Sequence, residues 1–92
     1  MFGARKRNRE QATALVLQVT RDFLQARGIE RAITVESSLS KAELGLDSIA
    51  RMELIAEVER HGSLTIPERF WESTNTLTVG QLVGIVLKSA KR

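Results

Sequence analysis

The sequence predicts an all-α fold, a small bundle of three main helices plus one short helix. Three observations predict it. Apolar residues recur at three- and four-residue steps across 10–27. The thirteen residues after Ser48 contain neither glycine nor proline. Thr78 and Gln81 stand three apart ahead of an aliphatic run, the pattern of a capping box.

In chain order, residues 10–27 place Ala12, Leu15, Val16, Val19, Phe23 and Ala26 on one helical face. Gly28 follows where a helix favours a left-handed residue. Residues 28–47 form a long connection holding Ile29, Ile33, Val35, Leu39 and Leu44 at no single period. Connections this long are uncommon in a small domain, and the spaced aliphatics predict that this one is packed down. Ser40 and Glu43 fit a capping box, which predicts a helical turn near 41–44. A helix over 48–61 is then closed by Gly62. Residues 64–67, LTIP, read as extended ahead of Pro67. A short helical segment is expected within 68–74. The last helix runs from Thr78 to about Ala90 with Leu82, Ile85 and Val86 inward, weakened by Gly80 and Gly84 at about 1 kcal/mol each.

The chain has 92 residues, 42% hydrophobic and 27% charged, the balance of one globular domain. No apolar run approaches the ~20 residues that span a membrane. The basic start MFGARKRNRE has no apolar segment behind it, so no secretory signal is expected and a cytoplasmic location is the default. There is no cysteine, which excludes disulfides and thiolate metal sites and leaves the polypeptide without a thiol. The net charge is +3, but Arg5, Lys6, Arg7, Arg9, Lys88, Lys91 and Arg92 lie at the ends. Residues 10–87 keep seven basic against 11 acidic residues, a net of −4. The body is acidic. Residues 1–9 are expected to be a flexible basic tail and 10–90 the folded domain.

Two apolar stripes run along the helix over 48–61. At about 100° per residue, Leu54, Ile55 and Val58 form a core face. Ile49, Met52 and Ala56 fall on another side, with Arg51 and Glu59 at the edges and Glu53, Glu57 and Arg60 on the remaining arc. So short a helix does not bury two stripes easily, so one is expected to face solvent or a partner; the alternative is that the long connection covers it. Ahead of this helix stand Asp47 and Ser48. One reading is that either residue caps the helix by accepting from an orphaned backbone N–H. The full capping box is absent, since Ala50 and Arg51 stand where Glu or Gln would. The other reading is chemical: a hydroxyl at a helix N-terminus is a place where an attached phosphate is favoured.

The stretch LGLDSIARMELIAEVE, residues 44–59, resembles the acyl carrier proteins and peptidyl carrier proteins, whose mark is a Gly-x-Asp-Ser-Leu-like turn opening a helix. The register continues through Asp47-Ser48-Ile49, Met52-Glu53-Leu54, Val58-Glu59 and Ile66-Pro67, and the likeness covers roughly residues 10–90. The resemblance implies that Ser48 carries 4′-phosphopantetheine as a phosphodiester. That arm brings the thiol that the chain lacks and holds acyl, aminoacyl or polyketide cargo as a thioester. It implies that Asp47 helps a phosphopantetheinyl transferase recognise the site. It also implies a partner surface: Ile49, Met52 and Ala56 supply its apolar side, and Glu53 and Glu57 its acidic side. Acyl-activating, condensing and acyl-transfer enzymes are the partners implied; the carrier itself is expected to be a monomer and not an enzyme, with no metal, and the chain length suggests that it is free-standing.

Several positions depart from the fatty-acid carriers. Ala50 and Arg60 stand where carboxylates are common there, and Gly62 where a large apolar residue is usual; Leu64 is expected to fill the vacated space. The segment between Pro67 and Val79 is about two residues longer and carries Phe70-Trp71, read as core packing or, less simply, as a lid. These departures favour a specialised lipid or secondary-metabolite pathway. Two other classes compete. A helical protein- or nucleic-acid-interaction module could use the basic ends, but a DNA reader needs basic side chains along its docking element, and the helix over 48–61 carries Glu53, Glu57 and Glu59 against Arg51 and Arg60. An enzyme is the weakest reading. His61 is the one histidine, expected at a helix end on the surface, and no catalytic constellation accompanies it.

Overall fold

The computed structural model describes residues 7–71 and 74–91. It is helical, with α1 over Arg9–Ala26, a short α2 over Lys41–Leu44, α3 over Ser48–Gly62 and α4 over Val79–Lys88. Two 3₁₀ turns, Glu68–Phe70 and Thr74–Thr76, lie between α3 and α4. The predicted helical segment within 68–74 therefore splits, and Glu72 and Ser73 lie outside the described residues. So do residues 1–6 of the expected tail. Asn8 and Arg9 belong to the fold: Asn8 caps α1, accepting from the Gln11 N–H at 2.8 Å while Gln11 Oε1 accepts from the Asn8 N–H at 3.1 Å.

The core forms where α1 packs on α3 and α4. Leu54, Ile55 and Val58 of α3 are buried there, as are Leu82, Ile85 and Val86 of α4 with Val79 and Val83. The face of α1 is turned slightly from the expected one. Thr20 and Leu24 are buried, Leu15 and Phe23 are half-buried, and Ala26 is exposed. The cause is local, since Phe23 and Ala26 line a groove against α3.

The long connection is packed down as expected. Ile33, Leu39, Leu44 and Leu46 are buried; only Val35 of the spaced aliphatics is exposed, at 41%, because it sits in a tight turn. Backbone bonds fasten the connection to the start of α4: Leu39 N–H to Leu77 O at 2.9 Å, Val79 N–H to Ser37 O at 2.9 Å, Gly80 N–H to Val35 O at 2.7 Å. Helix α2 begins on Ser40, whose hydroxyl accepts from the Glu43 N–H. The Glu43 carboxylate turns to the Ser38 N–H at 2.6 Å, so the predicted box is only half made. The Thr78–Gln81 box of α4 is complete.

Helices α3 and α4 end differently from the expected pattern. Gly28 adopts the expected left-handed φ of 74°, but Gly62 does not close α3 that way. It is the last helical residue, and Ser63 takes the left-handed conformation at φ 50°. Gly62 is needed for packing instead: a Cβ there would lie 2.8 Å from Leu64 Cδ2 and 2.9 Å from Leu15 Cδ2. Leu64, 1% exposed, does fill the space. Helix α4 stops at Lys88, short of Ala90, because Ala90–Lys91 forms a strand β2 antiparallel to β1, Leu64–Thr65.

Candidate functional site

The site begins with a turn. α2 ends at Gly45, left-handed at φ 73°, which redirects the chain so that Leu46 is buried while Asp47 and Ser48 emerge. Asp47 is the N-cap of α3: its Oδ1 accepts from the Ala50 N–H at 2.8 Å, and its carbonyl accepts from the Arg51 N–H at 2.9 Å. Of the two capping candidates, Asp47 does the capping. Ser48, the first helical residue, is left exposed. Among the described residues, neither its hydroxyl nor the backbone N–H groups of Ser48 and Ile49 have a hydrogen-bond partner. Unused N–H groups at the positive end of a helix favour a phosphate attached there. The residues present therefore fit a phosphodiester-linked arm: an accessible hydroxyl, a cap already supplied by a neighbour, and a favourable field.

Arg51, expected on the edge between the two apolar stripes of α3, is buried there at 8% exposed. Its Nη1 donates to the Leu46 carbonyl at 2.6 Å and its Nε to Thr74 Oγ1 at 3.2 Å. The Thr74 hydroxyl in turn donates to the Trp71 carbonyl at 3.1 Å, and the Trp71 indole donates to the Ile66 carbonyl at 3.0 Å. One side chain thus ties the turn before Ser48 to the segment after Pro67. Only the arginine at that position hinted at it, and its partner Thr74 lies 23 residues away. Phe70 and Trp71 are half-buried against the core.

The second stripe of α3 is on the outside. Ile49 is 69% and Met52 46% exposed, and Ala56 is exposed as well. The nearby carboxylates are not idle. Glu53 Oε1 accepts from Arg27 Nη1 at 3.2 Å, and Glu57 Oε1 from Arg60 Nη2 at 2.7 Å, with His61 Nε2 3.5 Å away. Hydrogen bonding from Arg60 holds the Glu57 carboxyl below its ordinary pKa, and the same contact raises Arg60. The structure thus brings Asp47, Ser48, Ile49, Met52, Glu53, Ala56 and Glu57 onto one helix and its cap, with each carboxylate of the face paired within the chain. Among the described residues no cluster of three or more His, Cys, Asp or Glu could hold a metal ion, and no helix is long and apolar enough to cross a membrane.

No solved structure gives a significant match to this chain. A family model described as the phosphopantetheine attachment site matches residues 14–84, a span that runs from within α1 into α4 and includes the whole Asp47-Ser48 turn. The domain is an attachment site for the 4′-phosphopantetheine group, and the chain belongs to the phosphopantetheine-binding carrier protein family.

Proposed function

We propose that Ser48 is the residue that bears the phosphopantetheine arm, and that the chain presents acyl, aminoacyl or polyketide cargo to partner enzymes in a specialised lipid or secondary-metabolite pathway. The observation that carries this reading is the exposed Ser48 hydroxyl, unengaged because Asp47 has taken the capping role. The arm supplies a terminal thiol, which the polypeptide lacks, and cargo is held on it as a thioester. The chain's own residues do the rest. Asp47 fixes the start of α3 and orients the Ser48 side chain toward solvent, where a transferase reaches it. Ile49, Met52 and Ala56 form the apolar contact for partner enzymes, and Glu53 and Glu57 set its charged margin. The chain acts as a cytoplasmic monomeric carrier, and the chemistry of activation, condensation and transfer belongs to the partners.

Incubation with coenzyme A, magnesium and a broad-specificity phosphopantetheinyl transferase tests this directly. Intact-protein mass spectrometry should find one phosphopantetheinyl group per chain. Ser48→Ala should abolish the addition with little loss of fold, because Asp47 rather than Ser48 makes the cap. A Ser48→Ala chain that is still modified would overturn the assignment.

A further inference from the structure

Arg51 holds two consecutive carbonyls on the chain entering α3. Its backbone N–H donates to the Asp47 carbonyl at 2.9 Å, and its guanidinium Nη1 donates to the Leu46 carbonyl at 2.6 Å. The first is an ordinary helical bond. The second is not, because Leu46 lies one residue outside the cap, where the intrahelical ladder offers its carbonyl no donor. A charged donor at that distance makes one of the stronger hydrogen bonds a protein contains. The guanidinium is itself anchored. Its Nε donates to Thr74 Oγ1 at 3.2 Å, and the buried Thr74 hydroxyl donates onward to the Trp71 carbonyl. A guanidinium aims its Nε–H and Nη1–H in different directions within one rigid plane, so it can join acceptors on two separate segments. An ammonium is a single point on a flexible stem. Ahead of Leu46 the backbone is permissive, since Gly45 is exposed and left-handed at φ 73°. The direction of the Ser48 turn is therefore set from behind, through Arg51 and a threonine 23 positions further along the chain.

We propose that Arg51 and Thr74 are positioning residues for the modification of Ser48. Together they hold the turn over 45–48 in the orientation that presents the serine hydroxyl to the transferase. Both side chains are buried, so they act through the Leu46 carbonyl and not by touching the enzyme. A loosened turn spends only a fraction of its time in the presenting orientation. A transferase that binds that orientation alone then sees its apparent affinity for the chain reduced by the same fraction. The loss falls on the KM for the chain and leaves kcat at its wild-type value. This role in modification rests on Ser48 as the attachment point; the bracing of the turn does not.

Arg51→Met removes both guanidinium donors, and Thr74→Val removes the far anchor alone. In steady-state transfer from coenzyme A by a broad-specificity phosphopantetheinyl transferase with magnesium, Arg51→Met should raise the KM for the chain about tenfold, the factor that one hydrogen bond to a charged group is worth. Thr74→Val should raise it less. Arg51→Lys keeps one donor and should fall between wild type and Arg51→Met. Val83→Ala truncates the buried face of α4 away from the turn and should leave KM unchanged, which separates positioning from loss of stability. Thermal melts fix the folded fraction of each chain. A second measurement needs no transferase. In the unmodified ¹⁵N-labelled chain, the amides of positions 50 and 51, held by Asp47, should exchange faster in Arg51→Met and Thr74→Val, by a larger factor than the amides of α4. A wild-type KM in Arg51→Met, an equal loss in Val83→Ala, a loss confined to kcat, or exchange at 50 and 51 that rises no more than in α4 would each overturn the proposal. A wild-type chain that is never loaded counts against Ser48 instead, and the exchange rates then decide the bracing by themselves.

Discussion

At the residue scale, the fold divides labour between two adjacent polar side chains. Asp47 satisfies the helix start, and Ser48 is thereby spared from doing so. A serine that served as its own cap would keep its hydroxyl turned to the backbone, away from a modifying enzyme. The opposite case sits in the core. Thr20 is fully buried, and among the described residues its Oγ1 has no hydrogen-bond partner. A buried hydroxyl left unpaired costs about 1–3 kcal/mol in desolvation, and valine has nearly the same shape without that group. Thr20→Val should therefore stabilise the chain by about 1 kcal/mol in a urea titration. A loss of stability would mean that the hydroxyl makes a bond after all.

At the scale of the element, α3 carries two apolar stripes, one buried and one exposed, and a pair of substitutions separates them. Leu54 is fully buried, so Leu54→Ala should cost about 2–5 kcal/mol through lost packing and a cavity. Met52 is half in water, so Met52→Glu should change unfolding little while weakening transfer to or from partner enzymes. Unfolding curves and transfer rates on the same two variants would expose a reversed assignment. The two glycines within α4 also differ. A Cβ at Gly84 would meet nothing within 4 Å, so Gly84→Ala should gain about 1 kcal/mol from helix propensity alone. A Cβ at Gly80 would lie 3.0 Å from the Val35 carbonyl oxygen, which already accepts the Gly80 N–H. Gly80→Ala should give no such gain, and differential melting of the two variants reads the contrast.

At the scale of the whole molecule, what could be read from sequence was what neighbours in the chain determine. The periodic faces of α3 and α4, the Thr78–Gln81 box and the Asp-Ser turn all depend on residues three or four apart. What could not be read depends on contacts made through space. Arg27 meets Glu53 across 26 positions and Arg51 meets Thr74 across 23, and no local pattern announces either pair. The strand pair between Leu64–Thr65 and Ala90–Lys91 is two residues long, too short to leave a period of its own. Gly62 misled for the same reason. Its local context looks like a helix stop, but the constraint on it comes from Leu15 and Leu64 packing against the helix end. The exposed Asp47-Ser48 turn and the outward stripe of α3 were legible in the sequence, and the internal pairing of the carboxylates was not.

The central claim, that Ser48 is where the arm joins the chain, has a direct test in the sequence itself. Trypsin cuts after Lys41 and Arg51 and releases the fragment AELGLDSIAR, residues 42–51, in which Ser48 is the only residue with a hydroxyl side chain. After treatment with coenzyme A, magnesium and a transferase, tandem mass spectrometry of the digest should find the phosphopantetheinyl group on this fragment and on no other. A group found on a different fragment, or a chain left unmodified by several transferases, would contradict the account.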